Sequence, residues 1–342
     1  IDMALVTHTN LKAALKDGMV PESVMNQIWD ISRIPLPLTD LVGSGSHENE
    51  YTSWPIDKLA AANTDNAVLD GADISSDNNV IPTRVGNHSQ ISVKFVSAST
   101  RARQGGTIAM GDALSYQVMQ RQRELRRDVE AISLFNQASV ADNGTNAGKS
   151  AGLDAWLTSN TSFGATGSNG GFNTTTGLVA VAVPGTKRAA SETTLRNLLQ
   201  STWQGGGNPT ILMGTPAVIR GLSKWLFNTS AQVATLTSDV QEKRSAAVAT
   251  GSVNVLVTDF GVVCEMIANR LQPTTDTATS TLFGIDPEYL AQSFLSGYRV
   301  DDIAKSGLSD KRLMSVDWTL KVYNEAAHCA YRALDEALAW VA

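Results

Sequence analysis

Histidine, the commonest metal ligand and proton carrier in proteins, occurs four times in this chain. The four positions are far apart: His8, His47, His88 and His328. His328 stands next to Cys329, but no second pair follows at the spacing of a zinc site. The acidic residues at 285–288 and at 301–302 have the composition of solvated turns. The sequence therefore predicts no metal site and no cofactor.

Ser46 and His47 form the one pair that resembles a nucleophile and its base. The Gly-x-Ser-x-Gly arrangement, with a strand before it and a helix after it, is missing around this pair. The glycines at 164–171 are not followed by Gly-Lys-Ser or Gly-Lys-Thr, so they do not form a phosphate loop. The sequence thus predicts no catalytic residue, and a structural role is favoured.

Composition narrows the class of protein further. The chain has 342 residues, a net charge of −6 and a pI near 5.3, which argues against a dedicated nucleic-acid binder. Its two cysteines make no disulfide framework. No apolar run approaches the ~18–20 residues of a membrane span, and no signal peptide is visible. We expect a folded protein with room for a large core.

A long helix is predicted from Thr107 to Ala138, with Thr107 as its N-cap. At ~1.5 Å per residue it would be a rod of about 45 Å, which we call the spine helix. Its apolar stripe repeats at helical spacing and comprises Leu114, Val118, Leu125, Val129 and Ile132. Its other side is charged and includes Arg121, Arg126, Arg127 and Glu130. This side is either a solvated face or a surface on which neighbouring subunits dock.

Two features precede the spine helix. Residues 1–44 contain short helical pieces and extended chain, with one apolar face at 24–29 and extended geometry imposed by Pro35 and Pro37. Residues 45–104 are predicted to form a long two-stranded excursion. One strand carries Trp54 and Ile56, and the other carries Val93 and Phe95 in strict alternation. The polar stretch between these strands is too long for a compact domain, so we expect it to lie on a partner surface.

After the spine helix the chain is mixed. Residues 139–185 are rich in Gly, Asn, Ser and Thr and favour loops. Helices are predicted at 191–203, 216–226 and 238–250, and a final helix is predicted to begin after Asn324. Strands are predicted at 209–213, 253–267, 281–290 and 316–322. Because helices and strands do not alternate regularly, the predicted class is α+β.

The order of these pieces resembles the major capsid proteins of tailed bacteriophages. Several stretches carry the resemblance: GNHSQISVKFVSASTRARQ at 86–104, the spine with RELRRDVE, AGLDAWLTSN at 151–160, and the long segments 191–226 and 281–327. The resemblance covers most of the chain from about residue 45 onward.

The resemblance implies an arm, an extended loop, a spine helix, a peripheral domain and an axial domain. On this basis we expect an arm at 1–44, the extended loop with a flanking peripheral strand at 45–104, the spine helix and a peripheral-domain loop at 105–185, the axial domain at 186–300, and closing peripheral strands with a C-terminal helix at 301–342.

The family also implies self-assembly into hexamers and pentamers of an icosahedral head around double-stranded DNA. The expected location is the virion, with assembly in the bacterial host cytoplasm. Expected partners are other copies of the chain, portal and scaffold proteins and a decoration protein. DNA would be held only weakly and non-specifically, and no membrane is involved.

Eight residues are candidates for contact with a neighbouring subunit: Trp54, Ile56, Val93, Phe95, Arg121, Arg126, Arg127 and Glu130. The two pairs Trp54–Ile56 and Val93–Phe95 either contact a neighbour or pack on each other across the hairpin. Three other functions stay open at this point. They are an encapsulin-like compartment around protein cargo, another virion component, and a hydrolase that uses Ser46 and His47.

Overall fold

The computed structural model describes residues 25–32, 35–71, 73, 79–105, 109–228, 254–274, 279–305, 307–338 and 340–341. The chain divides into two compact units. One unit comprises residues 1–33, 95–121 and 301–313, and the other comprises residues 34–94, 122–300 and 314–342. The helix predicted at 238–250 lies outside the described residues, as does the predicted N-cap Thr107.

Six α-helices and fourteen strands make up the described part of the chain. The helices are α1 Pro37–Leu41, α2 Thr100–Gln104, α3 Ala113–Leu134, α4 Leu153–Trp156, α5 Glu192–Gln204 and α6 Pro216–Asn228. The strands are β1 Gly43–Ser46, β2 Tyr51–Ile56, β3 Thr83–His88, β4 Gln90–Ser99, β5 Thr161–Ser162, β6 Gly171–Asn173, β7 Leu178–Ala180, β8 Ile211–Gly214, β9 Val255–Val257, β10 Val263–Ala268, β11 Thr279–Ile285, β12 Leu290–Ile303, β13 Ser309–Val322 and β14 Cys329–Asp335.

The strands form two larger sheets and two hairpin ladders. A six-stranded sheet has the order β5-β14-β11-β8-β10-β9, and a four-stranded sheet has the order β1-β12-β13-β4. The six-stranded sheet packs against α5 and α6 through a buried cluster that includes Leu195, Leu199, Leu212, Leu222 and Leu282. These residues come from segments whose apolar spacing predicted helices and strands, and the α+β class is confirmed.

The spine helix is shorter than predicted. Helix α3 has 22 residues, which corresponds to about 33 Å at ~1.5 Å per residue. Gly111 has a φ of 64° just before its start. The carboxylate of Asp112 accepts from the backbone N–H of Leu114 (3.3 Å) and the hydroxyl of Ser115 (2.9 Å), which stabilises the first turn.

The long excursion pairs differently from the prediction. Strand β2 is antiparallel to β3, with Trp54 opposite Val85 and Ile56 opposite Thr83. The strand with Val93 and Phe95 is β4, which lies beside β13 in the other sheet. Local alternation identified both strands, but it does not specify which strand is the partner. The idea that the two pairs face each other across one hairpin is therefore wrong.

The predicted C-terminal helix is also wrong. Asn324 caps only a short 3-10 turn at Glu325–Ala327, and β14 follows antiparallel to β11. Residues 329–334 are all buried, so the strand lacks the alternation of a half-exposed strand. Tyr331 and Leu334 are spaced like a helical stripe only by coincidence.

Two smaller corrections concern the first half of the chain. Residues 25–32 contain no helix, and Pro37 begins α1 instead of continuing an extended segment. Within 139–185 the structure has the strands β5 to β7 and the helix α4. All residues of α4 are buried. The side chain of Arg332 holds this segment in place because its Nε donates to Asp154 (2.5 Å) and its Nη2 donates to Leu157 O (3.1 Å).

Candidate functional site and subunit-contact surfaces

The residues with catalytic potential have structural partners. The ring Nδ1 of His47 lies 2.9 Å from the hydroxyl of Ser293. Burial, together with the nearby charge of Lys321, lowers the pKa of His47. Asp302 forms an ion pair with Arg312 (2.9 Å). Among the described residues no group of three His, Cys, Asp or Glu side chains is arranged to hold a metal ion.

Trp54 is held inside its own chain. Its indole Nε1 donates to Val322 O (3.0 Å), and its ring lies 5.7 Å from that of Trp156. Ile56 is half-buried and lines a cavity of about 210 Å³ together with Trp156 and Phe172. These contacts anchor β2 and β3 at the base of the long segment that lies between the two strands.

Val93 and Phe95 have a different environment. They are 52% and 51% exposed, and Ile91 on the same strand is 64% exposed. Since alternate residues of a strand share a face, these three apolar side chains lie in one row. Strand β4 ends the described order of its sheet, so it is an edge strand. Exposed apolar edge strands pair readily with other chains.

The charged residues of the spine helix fall into two groups. Arg126 is exposed and its guanidinium lies 5.3 Å from the ring centre of Tyr298. Arg127 and Arg121 are partly buried. Glu130 is fully buried, and its carboxylate accepts from the N–H groups of Leu38 and Thr39, both at 2.8 Å. The carboxylate of Glu130 therefore has its hydrogen-bond partners within its own chain.

The segment between β2 and β3 is exposed along its described length. Every described residue from 57 to 84 is exposed. Five large apolar side chains of this segment are 62–91% exposed: Leu59, Val68, Leu69, Val80 and Ile81. The sequence predicted that this stretch needs a partner surface, but the short apolar pairs inside a polar stretch gave no periodic signal that would single them out.

No helix in the described ranges is both long and apolar enough to cross a membrane.

Comparison with known proteins identifies proteins that are similar in sequence and proteins that are similar in fold. The major capsid protein of Escherichia phage Phieco32 is 32% identical over 117 residues, which cover 34% of this chain and 33% of that protein. The match thus spans about a third of the length of that relative.

Solved structures with the same fold cover nearly the whole chain. The capsid of Cyanophage A-1(L) is similar with a TM-score of 0.62 at 13% identity, over 92% of this chain and 97% of that chain. The holo-SrpI encapsulin complex of Synechococcus elongatus PCC 7942 is similar with a TM-score of 0.54 at 11% identity, over 94% and 95%. At these identities the similarity concerns the fold.

The family assignment comes from a match along almost the full length. The model described as SU10 major capsid protein matches residues 5–335. This match agrees with the shared fold, with the exposed edge strand β4 and with the exposed segment between β2 and β3. The chain belongs to the SU10 major capsid protein family.

Proposed function

We propose that this chain is the shell subunit of a tailed-phage head and self-assembles into hexamers and pentamers around double-stranded DNA. The observation that carries the proposal is the segment at 57–84, whose described residues are all exposed. A large aliphatic side chain contributes about 1.5–3 kcal/mol when it is fully buried. Five such side chains exposed in one segment therefore favour a state in which another subunit covers them.

The proposed contacts use the predicted residues in two ways. Val93 and Phe95 present an apolar row on the edge strand β4. Arg121, Arg126 and Arg127 are the basic contact residues of the spine helix. Trp54, Ile56 and Glu130 support these surfaces, because Trp54 and Ile56 fix the base of the exposed segment and Glu130 fixes α3 to α1.

The proposed relation to the packaged genome follows from charge. The net charge of −6 gives no overall attraction to phosphate. We expect DNA to be enclosed with weak, non-specific contacts, and no catalytic step is involved. Portal, scaffold and decoration proteins are the further partners in this proposal, and assembly occurs in the bacterial host cytoplasm before the protein becomes part of the virion.

The domain boundaries are part of the same proposal. We assign 1–44 to an arm, 45–104 to the extended loop and its flanking strand, 105–185 and 301–342 to the peripheral domain, and 186–300 to the axial domain. The buried cluster around α5 and α6 takes residues from β8, β10 and β11, and also from β14 of the 301–342 range.

Negative-stain microscopy of the chain expressed alone, then co-expressed with the neighbouring phage genes, tests the proposal. We expect closed shells tens of nanometres across, or rings of five and six subunits. If only single subunits are found in both preparations, the proposal is wrong.

An encapsulin-like compartment is the second candidate, since an encapsulin shares the fold. The contents of purified particles distinguish a phage head from an encapsulin-like compartment. Nuclease-protected DNA in particles from infected cells supports a phage head, whereas a single co-purifying enzyme supports a compartment.

A further inference from the structure

The sequence contains two Asn–Gly pairs, Asn143–Gly144 and Asn169–Gly170. In such a pair the backbone nitrogen of glycine can attack the side-chain carbonyl carbon of asparagine, because glycine has no Cβ to obstruct the approach. The product is a succinimide ring, and ammonia is released. Both pairs share this chemistry, so their surroundings decide which of them reacts.

The first pair lies in an exposed loop with a fixed base. Residues 141–147 are all exposed. Two backbone hydrogen bonds between Val140 and Lys149 (3.0 and 2.9 Å) close the loop. Gly144 has a φ of 75°, and a Cβ on it would meet no heavy atom of the described chain within 4 Å, its own chain neighbours aside. The backbone of Gly144 therefore has open space around it.

The groups around the first pair have the arrangement of a small acyl-transfer site. The Oδ1 of Asp142 accepts from the N–H of Gly144 (2.8 Å), so a base lies on the attacking nitrogen. The Oδ1 of Asn143 accepts from the backbone N–H groups of Thr145 (3.0 Å) and Asn146 (2.7 Å). Two donors on a carbonyl oxygen stabilise the negative charge that develops there when the carbon is attacked.

We propose that this loop converts its own Asn143 to aspartate and isoaspartate, with Asp142 as the base. The proton of the Gly144 N–H passes to Asp142 while the nitrogen forms a bond to Cγ of Asn143. The bond between Cγ and Nδ2 then breaks, and Nδ2 leaves as ammonia with the proton that Asp142 held. A solvent water opens the succinimide at either carbonyl, which gives the two products.

The second pair lacks this arrangement and serves as an internal reference. The leaving group of Asn169 is held, because its Nδ2 donates to Thr158 O (2.8 Å). Its Oδ1 accepts from the hydroxyl of Thr161 (2.9 Å). A Cβ at Gly170 would lie 2.1 Å from Ala180 O, so this glycine is packed against β7. We therefore expect the same dipeptide to react slowly here.

Conversion changes the charge of a defined corner of the subunit. Each event adds one negative charge to a chain whose net charge is −6. The new carboxylate would stand next to Asp142, whose backbone N–H donates to Glu50 (3.0 Å) immediately before β2. Because like charges repel, the loop should be held less firmly against Glu50 after conversion. The inference concerns a single subunit and goes beyond the proposed function, so it does not depend on assembly.

Peptide mass spectrometry of the intact chain, incubated at neutral pH and sampled over time, tests the inference. We expect conversion at Asn143 to be about tenfold or more faster than at Asn169, with both aspartate and isoaspartate formed. Isoaspartate identifies the succinimide route, because direct hydrolysis of the side-chain amide gives aspartate only. Equal rates at the two pairs, no conversion at Asn143, or aspartate as the single product would overturn the inference.

Asp142→Asn tests the role of the base, since it keeps a hydrogen-bond acceptor beside the Gly144 N–H but removes the carboxylate. It should slow conversion at Asn143 by about fivefold or more. Asp57→Asn is the matched control, an exposed aspartate outside the loop, and should leave the rate unchanged. If Asp142→Asn reacts as fast as the unmodified chain, Asp142 is not the base and the inference fails.

Discussion

Glu130 illustrates what a single residue contributes to this fold. Its carboxylate accepts from two backbone N–H groups of α1, from the hydroxyl of Thr39 (2.6 Å) and from the side-chain amide of Asn269 (2.8 Å). The sequence placed Glu130 on the charged side of the spine helix. Its partners come from positions 91, 92 and 139 residues away, and periodicity within one helix carries no information about such distant groups.

Removal of this carboxylate should destabilise the subunit strongly. Glu130→Ala leaves the N–H groups of Leu38 and Thr39 without an acceptor, so we expect a loss of about 2–4 kcal/mol in the free energy of unfolding. Urea unfolding of the unassembled subunit measures this loss. Glu124→Ala on the same helix is the control, with an expected change within about 0.5 kcal/mol. Equal losses in the two variants would contradict this assignment.

His328 gives the fold a dependence on pH. It is fully buried, its Nδ1 accepts from the N–H of Asp286 (3.2 Å), and its Nε2 lies 3.4 Å from Tyr289 O. Burial lowers its pKa from 6.5 to about 4, although Asp286 and Glu325 oppose this shift. The folded state therefore binds fewer protons than the unfolded state between these values, so stability rises with pH.

We expect a loss of at most about 3 kcal/mol in unfolding free energy as the pH falls from 6.5 through about 4. The urea midpoint measured at several pH values reports this loss. His328→Gln keeps an acceptor and a donor without titrating, so its midpoint should change less over the same range. Identical pH profiles for the two proteins would exclude His328 as the cause.

At the level of elements, local patterns predicted what each segment is but not what it pairs with. The sequence predicted helices at 191–203 and 216–226, and the structure confirms both as α5 Glu192–Gln204 and α6 Pro216–Asn228. The predicted partner of β2 was wrong because a two-residue period specifies which face of the sheet a side chain takes, but not which strand lies beside it. Strand β14 was mistaken for a helix because residues on both of its faces are buried, so its sequence lacks the alternation of a half-exposed strand.

Substitutions on the edge strand β4 test whether its exposed apolar row is a subunit-contact surface. Val93→Ser combined with Phe95→Ser removes apolar surface that is already half exposed, so the subunit should lose no more than about 1 kcal/mol of stability. We expect particle yield to fall at least tenfold in microscopy, because the proposed contact surface is lost.

The matched control changes two exposed valines of another hairpin, Val257→Ser and Val263→Ser, which are 63% and 54% exposed. These changes should reduce yield less than the β4 pair. If both double variants assemble normally, β4 is not a contact surface.

For the whole molecule, the order of elements predicted more than any single motif. An arm, a long unsupported segment, a spine helix and an α+β body led to the capsid family, and the match over residues 5–335 confirms it. The surfaces that join subunits were harder to predict. Exposed pairs such as Val68–Leu69 become recognisable only when the fold shows that they are not covered by the described part of the chain.

The central claim is that the segment between β2 and β3 drives assembly, and light scattering of matched proteins tests it most directly. In one protein residues 59–81 are replaced by a short Gly-Ser linker, which removes described residues that are all exposed and should leave the subunit folded. We predict particles many times the 36.4 kDa of one chain for the unmodified protein and single folded subunits for the shortened one. Assembly of both proteins to the same mass would contradict the claim.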